Sequence, residues 1–409
     1  MSTAQVFAYT SRDGGGKLVK GKMEAQNEAV VVSRLRTMGL SPVTVGTANA
    51  GTGLNREISL GSFSKGVKAK DLAVVSRQMS TMIAAGLSLL RTLAIISEQT
   101  ENKRLAQVFK TVRTDVEAGT SLSDAMGKHS REFPPLMLNL IRAGEIGGFL
   151  ESSLESVANN FEAEVKLTGK IKAALSYPIV VLVMAVIAVA AMLIFIVPTF
   201  EKMFEQMGAT LPLPTQFLVD LSHGMVFIGP IVVVLGIAFA IWWKKSKNEL
   251  RVRKVVDPLR LKLPVFGELM KKVAVARLTR NLATMVGSGV PILKALEVVG
   301  ATAGNWVIES ALARVGEAVR KGATIAEPLA KETIFPSMVT QMIAVGEDSG
   351  SLEQMLHKVS DFYDQEVESM TEQLTALIEP IMIAVIGVLI GGMIVALYMP
   401  IFDIYGHIH

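Results

Sequence analysis

The stretch Phe133–Glu151, FPPLMLNLIRAGEIGGFLE, returns near the other end of the chain as Phe335–Glu353, FPSMVTQMIAVGEDSGSLE. Both copies read F-P, an aliphatic run, then G-E-x-x-G-x-L-E, at a spacing of 202 positions. A period of ~20–50 residues would indicate a stacked solenoid; one this long indicates two copies of a whole domain. The correspondence extends upstream at 203 positions, where Arg77, Thr81, Met82, Gly86, Leu90 and Leu93 match Arg280, Thr284, Met285, Gly289, Leu293 and Leu296. Gly119-Thr120-Ser121 matches Gly322-Ala323-Thr324 at the same spacing. Downstream, Tyr177-Pro178 matches Glu379-Pro380 and Pro198-Thr199-Phe200 matches Pro400-Ile401-Phe402, both at 202. One residue of slippage over so long a match is what a single loop insertion produces.

Each copy reads as helical. Leu72, Val75, Met79, Met82 and Ile83 recur at three- and four-residue spacing and predict one buried face. Gly86 is expected to end that helix and Ser88 to cap the next, with Pro291 in the matching place at a first-turn position where proline is tolerated. Ser121 with Asp124, and Thr324 with Glu327, repeat a cap-plus-acid pattern. Different residues thus do one physical job at matching positions. The expected fold is mainly α: two homologous antiparallel bundles of about six helices each. Ahead of them, residues 1–46 read as a small α/β unit, with strands at Val6–Tyr9, Lys17–Ala25 and Pro42–Val45. Gly14-Gly15-Gly16 is its turn, and a helix over Glu28–Met38 is capped by Asn27 and ended by Gly39. Residues 47–66, rich in Gly, Ser, Thr and Asn, read as a linker.

Three apolar runs meet the length rule for a membrane crossing. Residues 179–197 carry no charge; at 1.5 Å per residue they span about 28 Å, against a hydrocarbon core of about 30 Å. Residues 226–243 form the second run, which includes Pro230, and 379–399 the third. Lys244, Lys245, Lys247, Arg251, Arg253 and Lys254 follow the second run, and Lys166, Lys170 and Lys172 precede the first. Residues 198–225 between them hold only Lys202 against Glu201, Glu205 and Asp220. The basic bias predicts cytoplasmic bundles at 67–178 and 244–378, an extracytoplasmic loop at 198–225 and an extracytoplasmic tail at 400–409. No basic-then-apolar leader opens the sequence, so the N-terminus is expected on the cytoplasmic side.

Composition narrows the chemistry. There is no cysteine, which excludes disulfides and thiolate-held metals, and the five histidines show no metal-ligand spacing. A net charge of +4 does not point to nucleic acid. No P-loop, H-E-x-x-H or G-x-S-x-G is present. The apolar runs carry no ionisable group inside their ends beyond the bordering Glu379, which argues against an ion-coupled transporter. No catalytic, cofactor or metal residue is therefore expected. The residues that stand out are Gly144, Glu145, Gly148 and Glu151, with Gly346, Glu347, Gly350 and Glu353 in the second copy. Gly144 and Gly346 are expected to end a helix in left-handed geometry, and Glu145 and Glu347 to meet free N–H groups at the start of the next helix. A partner-facing or ion-binding role for these acids is the alternative. Glu151 and Glu353 could pair with them, but no third ligand is evident. Glu162, Glu164, Asp364, Glu366 and Glu368 read as a solvated face.

The chain resembles the type II secretion system F family, including the PilC-type platform proteins of type IV pili. The resemblance runs from about Val6 to Phe402 and rests on Tyr9-Thr10 with Gly16-x-x-Val19-x-Gly21, on both G-E-x-x-G-x-L-E copies, each ahead of a membrane run that begins at proline, and on three spans in the expected order. It implies a non-enzymatic, multi-pass protein of the cytoplasmic (inner) membrane. The implied partners are a cytoplasmic hexameric assembly ATPase, pilin or pseudopilin subunits, other inner-membrane assembly proteins, the lipid bilayer and further copies of the chain. Asp348-Ser349 in place of Ile146-Gly147 implies that the copies meet different partners. The alternatives are a membrane-anchored helical signalling scaffold and a small-molecule transporter.

Overall fold

The computed structural model describes residues 5–12, 18–25, 27–47, 66–206, 211–247 and 249–406. The chain divides into two compact units, Met1–Phe63 and Ser64–His409. The first is a three-stranded sheet with one helix. Strands β1 (Gln5–Arg12) and β2 (Leu18–Ala25) pair antiparallel, and β3 (Ser41–Thr47) pairs antiparallel on the other side of β1. Between β2 and β3 lies α1 (Glu28–Thr37), capped by Asn27, whose side chain accepts from Val30 N at 3.0 Å. Val31 and Leu35 sit four apart on one face of α1, fully buried with Phe7 and Ala25. The expected turn at Gly14-Gly15-Gly16 and most of the expected linker lie outside the described residues.

The second unit is helical among the described residues. The first copy comprises α2 (Ala69–Ala84), α3 (Leu89–Gln99), α4 (Lys103–Glu117), α5 (Leu122–Gly127), α6 (Pro135–Gly147) and α7 (Leu150–Ala191). A π-helical turn, Met192–Ile196, joins α7 to α8 (Val197–Gln206). Then come α9 (Leu213–Ser246) and α10 (Leu250–Lys262). The second copy comprises α11 (Phe266–Gly287), α12 (Ile292–Thr302), α13 (Trp306–Arg320), α14 (Ala326–Ala330), α15 (Ser337–Ser349) and α16 (Leu352–Gly406). Each copy thus holds six helices, and their ends are built alike. Asn102 caps α4 and Asn305 caps α13 through backbone N–H groups of the first turn. Ser88 caps α3, while Pro291 sits at the N-cap of α12, one place before the expected first-turn position.

The copies share one apolar core. Leu140 and Phe161 of the first copy and Leu282 and Val359 of the second belong to one continuous cluster of buried side chains. The joint is made where α7 packs on α16 and α11, and α6 on α12. The opening phenylalanine of each motif is a core residue: Phe133 stands edge-on to Phe109 at 5.4 Å, and Phe335 is buried at the matching place. A buried side chain of this size contributes roughly 1.5–3 kcal/mol.

Among the described residues, three helices are long and apolar enough to cross a membrane, within Leu150–Gln206, Phe227–Ser246 and Leu352–Phe402. Two expectations need correction here. Pro178 and Pro380 do not begin separate membrane helices; both lie inside α7 and α16, which run unbroken from bundle to span. Proline costs a helix one backbone hydrogen bond, and a long apolar helix absorbs that loss. At 42 residues, α7 reaches about 63 Å, so bundle and span form one lever. Nor is 198–225 an open loop. It is largely α8 and the first turns of α9, whose Val197, Leu218 and Val219 pack on Met393, Ala396 and Leu397 of α16. Thr215 and Ser222 donate to the carbonyls of Ala396 and Leu193, which satisfies two buried hydroxyls. The expected tail is helical to Gly406; residues 407–409 lie outside the described residues.

Candidate functional site

The repeated motif forms the corner between α6 and α7, and again between α15 and α16. The left-handed residue at each corner is Gly148 (φ 75°) or Gly350 (φ 68°), four positions after the glycine expected to take that role. Gly144 and Gly346 are helical, buried and squeezed. A Cβ on Gly144 would lie 2.6 Å from Ser153 Cβ and 3.0 Å from Leu150 Cα. A Cβ on Gly346 would lie 2.8 Å from Leu352 Cα. The first glycine of the motif therefore lets two helices touch backbone to backbone, and the second turns the chain.

Glu145 and Glu347 cap a helix, but a different one from that expected. Glu145 accepts from the backbone N–H groups of Leu122, in a very short contact, and Ser123, at 2.9 Å. Glu347 accepts from Ile325 at 2.6 Å and Ala326 at 2.9 Å. These donors open α5 and α14, upstream of the motif, not the α7 and α16 that follow it. Ser121 and Thr324 accept from the next N–H in line, those of Asp124 and Glu327. Three orphan donors are thereby satisfied at each helix start. The two short helices could not hold their own first turn, so each carboxylate pins one to the motif. The acceptor-to-donor separation is 23 residues in the first copy and 22 in the second, which places the slip between Gly127 and Phe133.

With both oxygens committed, Glu145 and Glu347 are turned towards α5 and α14. Glu151 and Glu353 are exposed in the first turns of α7 and α16, where a carboxylate gains ~0.3–1 kcal/mol from the helix dipole. Glu353 lies over Gly287, whose added Cβ would come within 2.6 Å of its Cδ; the matching residue in the first copy is Ala84. The corners also differ in their exposed tips. Ile146 (83 % exposed) and Phe149 stand where the second copy has Asp348 and Ser351.

The acids expected on a solvated face are ion-paired. Arg77 grips Glu162 with two contacts of 2.7 Å, and Arg280 pairs with Asp364 at the matching place in the second copy. Lys272 meets Glu366 at 2.8 Å. Two pairs join the copies: Arg277 forks onto Glu164, and Lys170 meets Glu368. Asn160 donates to Asn281 at 2.9 Å beside them. The sequence carried a usable signal for the first two pairs, since basic and acidic members both recur at the repeat offset.

Within the second copy, Arg314 forks onto Glu332 at 2.6 and 2.7 Å. That hydrogen bonding, outweighing the desolvation from its partial burial, holds the Glu332 carboxyl below its ordinary 4.5. A depressed carboxylate contributes stability that is complete above its unfolded value and fades as pH falls through the folded one. The melting temperature of Arg314→Ala should therefore fall short of the parent at pH 7 by a small margin, worth under about 1 kcal/mol for so exposed a guanidinium. At pH 3 the margin should narrow. A gap that widens on acidification would exclude this origin.

The family described as "Type II secretion system (T2SS), protein F" matches residues 75–198 and 278–400, offset by 203 at the start and 202 at the end, as the motifs are. "Type II secretion system protein F, N-terminal domain" matches residues 1–46. "Type IV pilus assembly protein PilC" of Myxococcus xanthus (strain DK1622) is 41 % identical over 409 residues, covering 100 % of this chain and 96 % of its own. The protein of the same description from Thermus thermophilus is 40 % identical over 98 % of both chains. "Type II secretion system protein F" of Vibrio cholerae is 32 % identical over 97 % of this chain and 98 % of its own.

Proposed function

The chain belongs to the type II secretion system protein F family, and on that premise we propose that it is a non-enzymatic platform in the cytoplasmic membrane, the inner one, of a type IV pilus or type II secretion machine. On this proposal the bundles at 67–178 and 244–378 face the cytoplasm and meet a hexameric assembly ATPase. The membrane helices pass pilin or pseudopilin subunits into a growing filament, alongside other inner-membrane assembly proteins and further copies of the chain. The observation that carries it is the end-to-end likeness to relatives named for pilus assembly and for secretion, with both copies of the motif in one structural role. Chemistry on ATP would belong to the partner. Continuous helices such as α7 suit a part that transmits movement, because a displacement of the bundle is carried along one rod. The unlike tips, Ile146 with Phe149 and Asp348 with Ser351, favour different partners for the two copies.

Affinity purification of the detergent-solubilised protein from its own cell tests this. An ATPase and a pilin-type subunit should copurify. Recovery of a small-molecule flux in proteoliposomes with neither partner would favour a transporter, and recovery of a signalling enzyme alone would favour a scaffold.

The proposed orientation has its own test. Gln216 is exposed at the start of α9 and Lys245 at its basic end, and no native cysteine interferes. A membrane-impermeant thiol reagent on intact spheroplasts should label Gln216→Cys and leave Lys245→Cys unlabelled until lysis. The reverse pattern would invert the topology.

A further inference from the structure

The corner between α10 and α11 has no part in the motif; the residues at the matching offset, 60–63, lie outside the described residues. The corner is tightly built. Phe266 N donates to Pro264 O at 2.7 Å around Val265, whose φ of 65° and ψ of −57° form the rare, strained γ-turn. Val265 is the one described non-glycine residue with positive φ. Gly267 packs against the end of α10, where an added Cβ would come within 2.3 Å of Leu261 O. This geometry turns apolar side chains outward: Leu263, Val265 and Phe266 are 47 %, 46 % and 43 % exposed. On one side of them Val255 and Leu259 of α10 are exposed as well. A strained backbone that displays apolar groups needs a reason outside the bundle.

Two contacts fix the height of this corner relative to the membrane helices. Arg260, on the last turn of α10, stacks its guanidinium 5.6 Å from the ring of Trp243, near the end of the second span. α11 runs antiparallel on α16. Gly287 lies at Glu353, Arg280 at Asp364, Lys272 at Glu366, and Leu269 clusters with Val367 and Leu374. Phe266 is one turn beyond Leu269, and Leu374 is about 9 Å along the helix from Pro380, where the third apolar run opens. Both markers put the exposed corner on the side of the bundle that faces the membrane helices, where Leu263 and Val265 also line a cleft against Ile334, Pro336 and Tyr363. Its charge suits that place. Lys262 and Lys271 are exposed at these two helix ends, beside Arg260 and Lys272; the acids there are Asp257, near Arg260, and Glu268, while Lys272 is paired with Glu366.

We propose that the α10–α11 corner is a monotopic membrane anchor, with Leu263, Val265 and Phe266 seated in the bilayer interface and Lys262 and Lys271 on anionic lipid headgroups. Apolar side chains flanked by lysines are the composition that beds into such an interface, and each basic group near an anionic surface favours binding about fivefold. The anchor is indifferent to which partners the bundles hold. It would hold the second copy against the membrane and, through the shared core, the first copy with it.

The test uses the full-length protein in lipid nanodiscs, with an environment-sensitive fluorophore on Phe266→Cys and, as control, on Asp348→Cys at the far end of the bundle. Brominated phosphatidylglycerol should quench the probe at position 266 at least twofold more than brominated phosphatidylcholine at the same mole fraction, and neither should quench the control. Lys262→Glu with Lys271→Glu should equalise the two lipids, with circular dichroism unchanged. A probe at 266 quenched no more than the control would overturn the proposal; so would equal quenching by the two lipids before the lysines are changed.

Discussion

A valine at Gly144 should leave the membrane almost empty of folded protein. The position tolerates valine's backbone geometry, because the residue is helical. What it lacks is room: the first added carbon would already press on Ser153 Cβ and on the backbone of Leu150. Side-chain atoms can yield by a few tenths of an ångström, but the α7 backbone moves only if α6 and α7 part. Overpacking of a tight core costs ~1–3 kcal/mol per such change and more where backbone is met, so about 3 kcal/mol or more is expected for valine. That is a large share of the ~5–15 kcal/mol by which a folded chain is stable. Gly346→Val should behave alike, since Leu352 Cα stands closer still. Gly148→Ala, which meets no atom but must hold positive φ, should cost only ~1–2 kcal/mol. Thermal melts of the purified variants, read beside membrane abundance, check the order. If Gly148→Ala proves the more damaging, the close approach is not what the first glycine serves.

Glu145→Gln should lower stability by about 1.5–3 kcal/mol, the range for a hydrogen bond to a charged group, without a separate loss of function. Glutamine keeps one acceptor for Leu122 or Ser123 and turns an N–H₂ group at the other donor. One opening turn of α5 is then left with an unmet N–H. Glu347→Gln should match it through Ile325 and Ala326. Filament number, or secreted substrate, should follow the amount of folded protein in each variant. Filaments lost at normal protein level and unchanged melting temperature would mean that the carboxylate also meets a partner.

Much of the fold was open to a reader of the sequence because the duplication states it twice. Ser121 and Thr324 differ in type but cap matching helix starts, and such a pair separates structure from accident. Periodicity also revealed Val75 and Met79 as core, and the apolar runs as spans. What stayed hidden was long-range. Glu145 lies in the last turn of α6, five residues before α7 begins, and nothing local says that its oxygens reach back to Leu122. Left-handed geometry could be assigned to either glycine of G-E-x-x-G; Gly148 takes it, while Gly144 stays helical against Leu150. Pro178 looked like a helix start because proline usually is one; an apolar environment that favours helix over any alternative carries the chain past it. The acids of α7 and α16 are partly exposed, as expected, but their ion pairing stayed hidden because Arg77, Arg277, Arg280, Lys170 and Lys272 are distant in sequence from the acids they meet. The γ-turn at Val265 had no signal at all, since valine is among the residues least expected there.

If this chain is the platform on which a filament is built, and the ATP chemistry lies elsewhere, assembly should depend on it wholly. Removing the gene from its own cell and counting surface filaments, or assaying the secreted substrate, tests it most directly, with ATPase and prepilin levels followed by immunoblot. Filaments or secretion should vanish while both partners remain at normal levels, and a plasmid copy should restore them. Filaments of normal number, or undiminished secretion, in cells that lack the protein would contradict it.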